Sequence, residues 1–521
     1  MSLRISSRTG LALAVTALLA GGLAAVPAIA PPEAPAARAG TGAARTVNVM
    51  APLFIDDWAT SGPAWRAFTD SLAVADRQGA DAVAVDVWWG KVEPARGSFD
   101  WAYYDKVFAA VTSAGLDLVP VMSFHQCGGN VGDTCSIPIP SWVWEPYEIC
   151  GFAGCSTPAP VENYFVSEYG NADREAPSPW GVGNDRTLFD MRGMMDAFEQ
   201  HYGSGATDYR GRIQEITVGT GPAGELRMPS YAAHDRSVAG DPAGYPNRGT
   251  FQSYTPAAIR DFADWAVARY GSVAGVGTAW GIPGLSYAMI SPPTDHERFI
   301  DSGAYSTLRY GRDFTRWYNE SLLRHGREVM TQAFGAFDAA FATVPLGMKV
   351  PGVHWQTMGT SPIRRAPEIA AGLLHTDQAF DDASTSHGYD GIAGLVADLA
   401  AHGDGVSPRH EVVLHFTALE MPDGREWDGG SHAYSDAASL VAWVGAAAAK
   451  AHIPLKGENA LSGSLGSVGS ASTVGWSHIR DTFQASPTPY SGLTVLRISD
   501  VTGAAGSTAR LEFERFLRDF H

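Results

Sequence analysis

The chain has 521 residues, 37 Lys and Arg against 55 Asp and Glu, a formal charge of −18, and 45% hydrophobic residues. That balance excludes nucleic acid as the partner, because a phosphate backbone needs a basic face; it sets no bar to a neutral sugar polymer. Trp 15, Tyr 18 and Phe 22 supply a large core and, from the same stock, platforms for sugar rings. At the N-terminus Arg4 and Arg8 precede an apolar run from Leu11 to Val26, and Ala28-Ile29-Ala30 offers a small-x-small cleavage site. Together these read as a secretory signal peptide over 1–30 that is removed rather than kept as a membrane span. The Pro/Ala-rich 31–44 follows as a flexible lead-in, and 45–521 is expected to form one secreted catalytic domain with no membrane contact after cleavage.

Eight apolar, β-branched runs of strand length then follow, near Val47–Pro52, Ala82–Val87, Leu118–Ser123, Ile213–Val218, Pro345–Val350, Val412–Thr417, Ile453–Gly457 and Leu493–Ile498. Helical stretches separate many of them, such as Trp65–Gln78 closed by Gly79 and Trp101–Ala114 closed by Gly115. Strands alternating with helices imply a parallel sheet, and eight of them predict an α/β fold of the (β/α)8 barrel type. The gap from Glu225 to Val344 is too long for one crossover. It reads as a lobe inserted after strand four, helical in Pro256–Tyr270 and Tyr310–Ala333, walling one side of a pocket.

Cys127, Cys135, Cys150 and Cys155 lie close together in an exported chain, and short loops favour the neighbour pairs Cys127–Cys135 and Cys150–Cys155 among the three possible pairings. None has C-x-x-C spacing. His410-Glu411 followed by His415 is one residue too long for the metalloprotease helix motif and sits in a strand-like run. A nucleophile elbow and a phosphate-cradling glycine loop are both missing.

The polar residues carry the chemistry. Strand four stops abruptly at Gly219-Thr-Gly-Pro-Ala-Gly, leaving Glu225 just past its carboxyl end, where barrel enzymes build their sites. A single glutamate there is usually an ordinary loop residue. Strand two, however, ends in Asp86 and Trp88-Trp89, strand three in His125, strand five in Lys349 and His354-Trp355, strand six in Thr417, strand seven in Glu458-Asn459-Ala460, and strand eight in Arg497. Each alone has a modest functional prior; together they converge on one pocket.

These segments resemble the β-amylases, the inverting, exo-acting α-1,4-glucan hydrolases, across nearly the whole chain beyond residue 45. VDVWWG, SFHQCGGNVGD, GPAGELRMPSY, Lys349 with GVHW, FTALEM, GENAL and LRISD occur in that family's order, and GVHWQ with CGGNVGDTC is similar to its bacterial members. The resemblance implies hydrolysis of starch, glycogen and related glucans to β-maltose from non-reducing ends. It implies Glu225 as general acid and Glu458 as general base, with Asp86, His125, Asp133, Lys349, His354, Thr417, Asn459, Ala460 and Arg497 binding the glucan; independently, the indole faces of Trp88, Trp89 and Trp355 suit either pyranose rings or core packing. Ala418 replaces the cysteine of the usual FTCLEM, so thiol sensitivity there should be absent. Bacterial relatives hold calcium; here only Glu93 and Asp190 suggest themselves, so a structural calcium stays open, and no cofactor is required for the chemistry. The chain stops soon after strand eight, so a lone catalytic domain acting as a monomer on glucan is expected.

An inverting pair stands roughly 6.5–9.5 Å apart to admit water, whereas a retaining pair stands about 5 Å apart. The rivals are therefore a retaining barrel glycosidase and a glucan-binding protein without activity; retention of both glutamates speaks against the second. The loop Gly128–Asp133, pinned by a Cys127–Cys135 bridge, is expected to close on the chain end and bring Asp133 to the terminal sugar.

Overall fold

The computed structural model describes residues 45–521 apart from 129–132, 147–149, 152–153, 156–161, 182–183, 232–234, 236–248, 355–364, 379–381, 408, 425–434, 467–471 and 486–487. The predicted signal peptide and lead-in, and Trp355, fall outside the described residues. Eight strands form the centre: β1 (Thr46–Met50), β2 (Ala82–Trp88), β3 (Asp117–Ser123), β4 (Ile216–Val218), β5 (Leu346–Val350), β6 (Val412–Phe416), β7 (Leu455–Glu458) and β8 (Tyr490–Val495). They close into a parallel barrel in which each strand lies beside its neighbours in sequence. β1 meets β8 with Thr46 opposite Gly492 and Val49 opposite Val495. The (β/α)8 expectation is met.

Burial on both faces explains the apolar runs, since helices cover the outside and side chains fill the inside. Every residue of β2, AVAVDVW, is buried. Val83, Val85 and Leu118 join the large core beneath the helices, while Met50, Ala82, Ala84 and Val119 form a separate small cluster. This alternation places Asp86 in line with the inward set. Helix α1 (Pro63–Gln78) starts at proline and buries Trp65, Phe68, Leu72 and Ala75 at helical spacing. Its first amides, those of Ala64 and Trp65, donate to Asp57 at 2.8 Å, and Gly79 ends it at φ 94°.

Two boundaries and one assignment differ from expectation. β8 runs over Tyr490–Val495, earlier than Leu493–Ile498, because Arg497 already caps a short helix, Ile498–Val501, and its amide donates to Asp500. β4 is shorter than Ile213–Val218, with Ile213 making only an isolated bridge to Leu118. Within the insertion, Pro256–Tyr270 and Val273–Trp280 are helical. The long helix Arg309–Ala336 also packs on Asn184–Tyr202, which precedes β4, and on Asp390–His402; it therefore serves as an outer helix between β4 and β5, not only as lobe.

Cys127 and Cys135 are disulfide-bonded with Cα atoms 5.6 Å apart. The bridge lies beside a pair of backbone hydrogen bonds between Cys127 and Ile137. Cys150 stands opposite Cys155 in a two-stranded antiparallel ladder; the sulfur contacts of that pair lie outside the described residues.

Candidate active site

The turn after β4 sets the first carboxylate. Ala223 and Gly224 adopt positive φ, 56° and 77°, and a Cβ at Gly224 would stand 3.3 Å from His125 Cε1. Glycine thus allows the turn to pass close to the imidazole. Glu225 then pairs with Lys349 in a parallel bridge, and the Leu226 amide donates to the Lys349 carbonyl at 2.8 Å. Its Oε2 accepts from Arg227 Nε at 2.8 Å and its Oε1 from the Thr417 hydroxyl at 2.5 Å.

Glu458, the last residue of β7, is buried. Lys349 Nζ lies 2.9 Å from both of its oxygens. Burial alone would strip the Lys349 proton, but the charges of Glu458, Asp86 and Glu225 overcome it and raise its pKa above the ordinary lysine value. Lys349 is therefore a cation felt by three carboxylates, on β2, in the turn after β4 and on β7. Asp86 accepts from the Ser123 hydroxyl at 2.9 Å. Burial pushes its carboxyl up, opposed by the charges of Arg497 and Lys349.

His125 is buried edge-on to Trp88, with ring centroids 5.1 Å apart. Burial first, then the charges of Lys349 and Arg227, lower its pKa to about 3. It is a neutral imidazole, and its Nδ1 has no hydrogen-bond partner within the protein, so it can offer one donor and one acceptor to sugar hydroxyls.

The remaining candidates divide. Thr417 touches Glu225 directly. Arg497 Nη1 lies against Met50 Sδ at 2.8 Å while its charge reaches Asp86. His354 Nδ1 is 2.8 Å from the Gly352 carbonyl, and Asp133 accepts from the Gly128 amide at 2.9 Å. Asn459 acts first on its own backbone: its amide donates to the Leu461 and Leu496 carbonyls and its Oδ1 accepts from the Leu496 amide. The Ala460 amide is taken by Glu420. Trp89 is fully buried against Phe124 and Trp142, with its indole N–H on Glu93, and Trp88 donates to the Leu53 carbonyl; both are core residues in this structure.

Glu93 and Asp190 already have protein partners. Glu93 accepts from Trp89 and the Gly97 amide at 2.7 Å, and Asp190 pairs with Arg96 and Arg186 at 3.2 Å. Their oxygens face fixed donors rather than one another. Among the described residues the metal-capable group is Glu168, His296 and Glu297, with Tyr169 donating to Glu297.

Three features escaped the sequence reading. Arg227, two residues after Glu225, is its guanidinium partner. Glu420 receives the amides of Ala460 and Leu461 at 2.8 and 2.6 Å, tying the loop after β6 to the loop after β7. Beneath the site, Glu215, His415 and Lys456 form a row of polar contacts in which Glu215 and His415 are buried. The signal for that row was present: Glu215, Gly347, His415 and Lys456 each stand two positions before Thr217, Lys349, Thr417 and Glu458, the same-face spacing of a strand.

Two glutamates at or beyond the carboxyl ends of separate strands, Glu458 buried and Glu225 half-buried, with one lysine charge between them and polar groups of sugar-binding type around them, define a barrel glycoside hydrolase. Comparison with known proteins carries this further. The glycosyl hydrolase family 14 pattern matches residues 48–519. The thermophilic β-amylase of Thermoanaerobacterium thermosulfurigenes is 34% identical over 447 residues, 85% of this chain and 69% of that one. A β-amylase of Bacillus cereus is 35% identical over 399 residues, 76% of this chain and 63% of that one. The crystal structure of the catalytic domain of β-amylase from Paenibacillus polymyxa superposes with a TM-score of 0.70 at 30% identity, covering 91% of this chain and 98% of that chain. The chain belongs to glycosyl hydrolase family 14.

Proposed function

We propose that this chain is a β-amylase that cuts maltose from the non-reducing ends of α-1,4-glucans with inversion, Glu225 acting as general acid and Glu458 as general base. One observation carries the assignment: among the described residues the two carboxylates share no hydrogen-bond donor. Glu225 is held by Arg227 and Thr417, Glu458 by Lys349, and β5 and β6 lie between their strands. That arrangement suits a water between base and sugar, not direct attack on the anomeric carbon.

Thr417 gives the acid a way to carry its proton. Its hydroxyl has one hydrogen and two acceptors in reach, Glu225 Oε1 at 2.5 Å and the Val350 carbonyl at 3.3 Å. Turned to Val350, it leaves a lone pair to receive a proton borne by Glu225. In the reaction that proton passes to the glycosidic oxygen as the C–O bond breaks. Water adds to the opposite face, and its proton passes to Glu458, which Lys349 keeps aligned. Asp86, His125, Asp133, His354, Trp355 and Arg497 are assigned to the glucan, with Asn459 and Ala460 shaping the base's surroundings. Secretion through residues 1–30 and action as a monomer belong to the same reading; among the described residues no helix is long and apolar enough to cross a membrane.

Glu225→Gln and Glu458→Gln should each lower kcat by several orders of magnitude while circular dichroism and maltose affinity stay near wild type. Near-normal turnover in either variant would remove that residue from its role. Proton NMR of the anomeric region during the first minutes with soluble starch should show β-maltose before mutarotation. Initial α-maltose would favour the retaining alternative, and internal fragments would exclude exo action.

A further inference from the structure

The inside of the barrel between β4 and β7 carries two charged tiers. The upper one is the catalytic pair with Lys349. The lower one is Glu215, His415 and Lys456, none of which can reach a sugar through the residues above it. His415 Nε2 is 2.5 Å from Glu215 Oε1, and Lys456 Nζ is 2.9 Å from Glu215 Oε2. Burial would raise the Glu215 pKa, but His415 and Lys456 overcome it and hold the carboxyl at about 2, so Glu215 is an anion throughout the working range.

His415 joins the tiers. Its other nitrogen, Nδ1, is buried without a hydrogen-bond partner and stands 3.8 Å from Glu458 Oε1. The fold reserves space for this contact: a Cβ on Gly347 would stand 2.4 Å from Glu215 Oε1 and 3.3 Å from His415 Nε2. An unmatched nitrogen in a dry interior is costly unless something brings it a partner. Among the described residues, the ionisable oxygen it faces is that of the proposed base.

We infer that His415 is a positioning residue for Glu458: anchored through Nε2 on Glu215, it presents an Nδ1 proton to the ionised base as a second, charge-assisted contact beside Lys349. The charges facing the ring are Glu215 from the start of β4, Lys349 from its cross-strand neighbour β5, and Lys456 and Glu458 from β7. Two are anions and two are cations, and the Glu215 contact, at 2.5 Å, is the closest of them. Once Glu458 has taken the proton of water, the contact weakens, and Glu458 releases that proton to solvent water as the ionised pair re-forms. The selectivity of the idea lies in kcat, because the lower tier touches no sugar.

This rests on Glu458 being the base, and the tests separate the two. His415→Gln keeps a donor toward Glu215 but loses Nδ1. It should lower kcat about tenfold to a hundredfold with KM within twofold, and should move the acidic limb of the kcat profile to higher pH, because a cation beside the base is gone. Glu215→Gln should move the limb the same way. Unchanged kcat and limb in both variants, or a loss confined to KM, would overturn the proposal while leaving the Glu458→Gln result untouched. Should His415→Gln fail to fold, neutron diffraction from deuterium-exchanged wild-type crystals reads the ring directly. Deuterium on both nitrogens is expected near neutral pH, and a singly protonated ring overturns the inference.

Discussion

Gly347 shows how much of this site depends on an absent side chain. A methyl group there would meet Glu215 Oε1, Thr217 Oγ1 at 2.9 Å and His415 Nε2, none of which can retreat within a closed barrel. Gly347→Ala should therefore cost about 1–3 kcal/mol of stability by urea unfolding, the usual range for overpacking, and lower kcat more than KM; wild-type stability would mean that the row moves freely. Lys349→Met should be worse for catalysis than for folding, because it leaves Glu458 and Asp86 buried together without their shared cation. A loss of at least a hundredfold in kcat is expected from steady-state assays on soluble starch. At this scale Glu225, Glu458, Lys349 and Thr417 were legible because each stands at or just past the carboxyl end of a strand in a specific motif. Glu215 and Lys456 went unread although their same-face spacing was there, since a charged residue beside or within a strand reads as a surface position until the barrel closes around it. Asn459 and Trp89 show what a motif leaves unsaid: the side-chain polar atoms of both are hydrogen-bonded within the protein, and for Trp89 the core alternative holds.

Loops, not strands, carry the second kind of control. Glu420 ties the loop after β6 to that after β7 through two backbone amides, and burial, opposed by those amides, pushes its carboxyl from the ordinary 4.5 up to about 7. A raised folded-state value means the protonated form favours folding. The contribution is full below pH 4.5 and is lost as pH rises through 7, on the order of 3 kcal/mol across that window. Glu420→Gln cannot ionise, so its stability deficit relative to wild type should shrink between pH 5 and pH 8 in urea titrations; a constant or growing deficit would contradict the assignment. The elements themselves were readable from apolar runs and glycine stops. The end of β8 was not, because the Arg497 and Asp500 cap that truncates it depends on backbone geometry rather than on composition.

For the molecule as a whole, the charge of −18 has a sharp consequence with a neutral substrate. Long-range steering is absent, so kcat/KM on maltooligosaccharides should be flat between low and moderate salt; a steep salt dependence would point to a charged substrate instead. The barrel class followed from counting strands and helices, but the double role of Arg309–Ala336 did not, because one long amphipathic helix looks the same whether it covers a barrel or builds a lobe. Closure of β1 on β8 also bears on how the chain is made. Partners separated by about 450 residues emerge from a ribosome roughly half a minute to a minute and a half apart at ordinary elongation rates. Until the later strand appears, the first strand presents an unpaired edge, and Glu458 has no finished wall behind it. The nascent chain must therefore pass its whole synthesis as an open, inactive sheet whose exposed rim needs shelter from its neighbours on the same message.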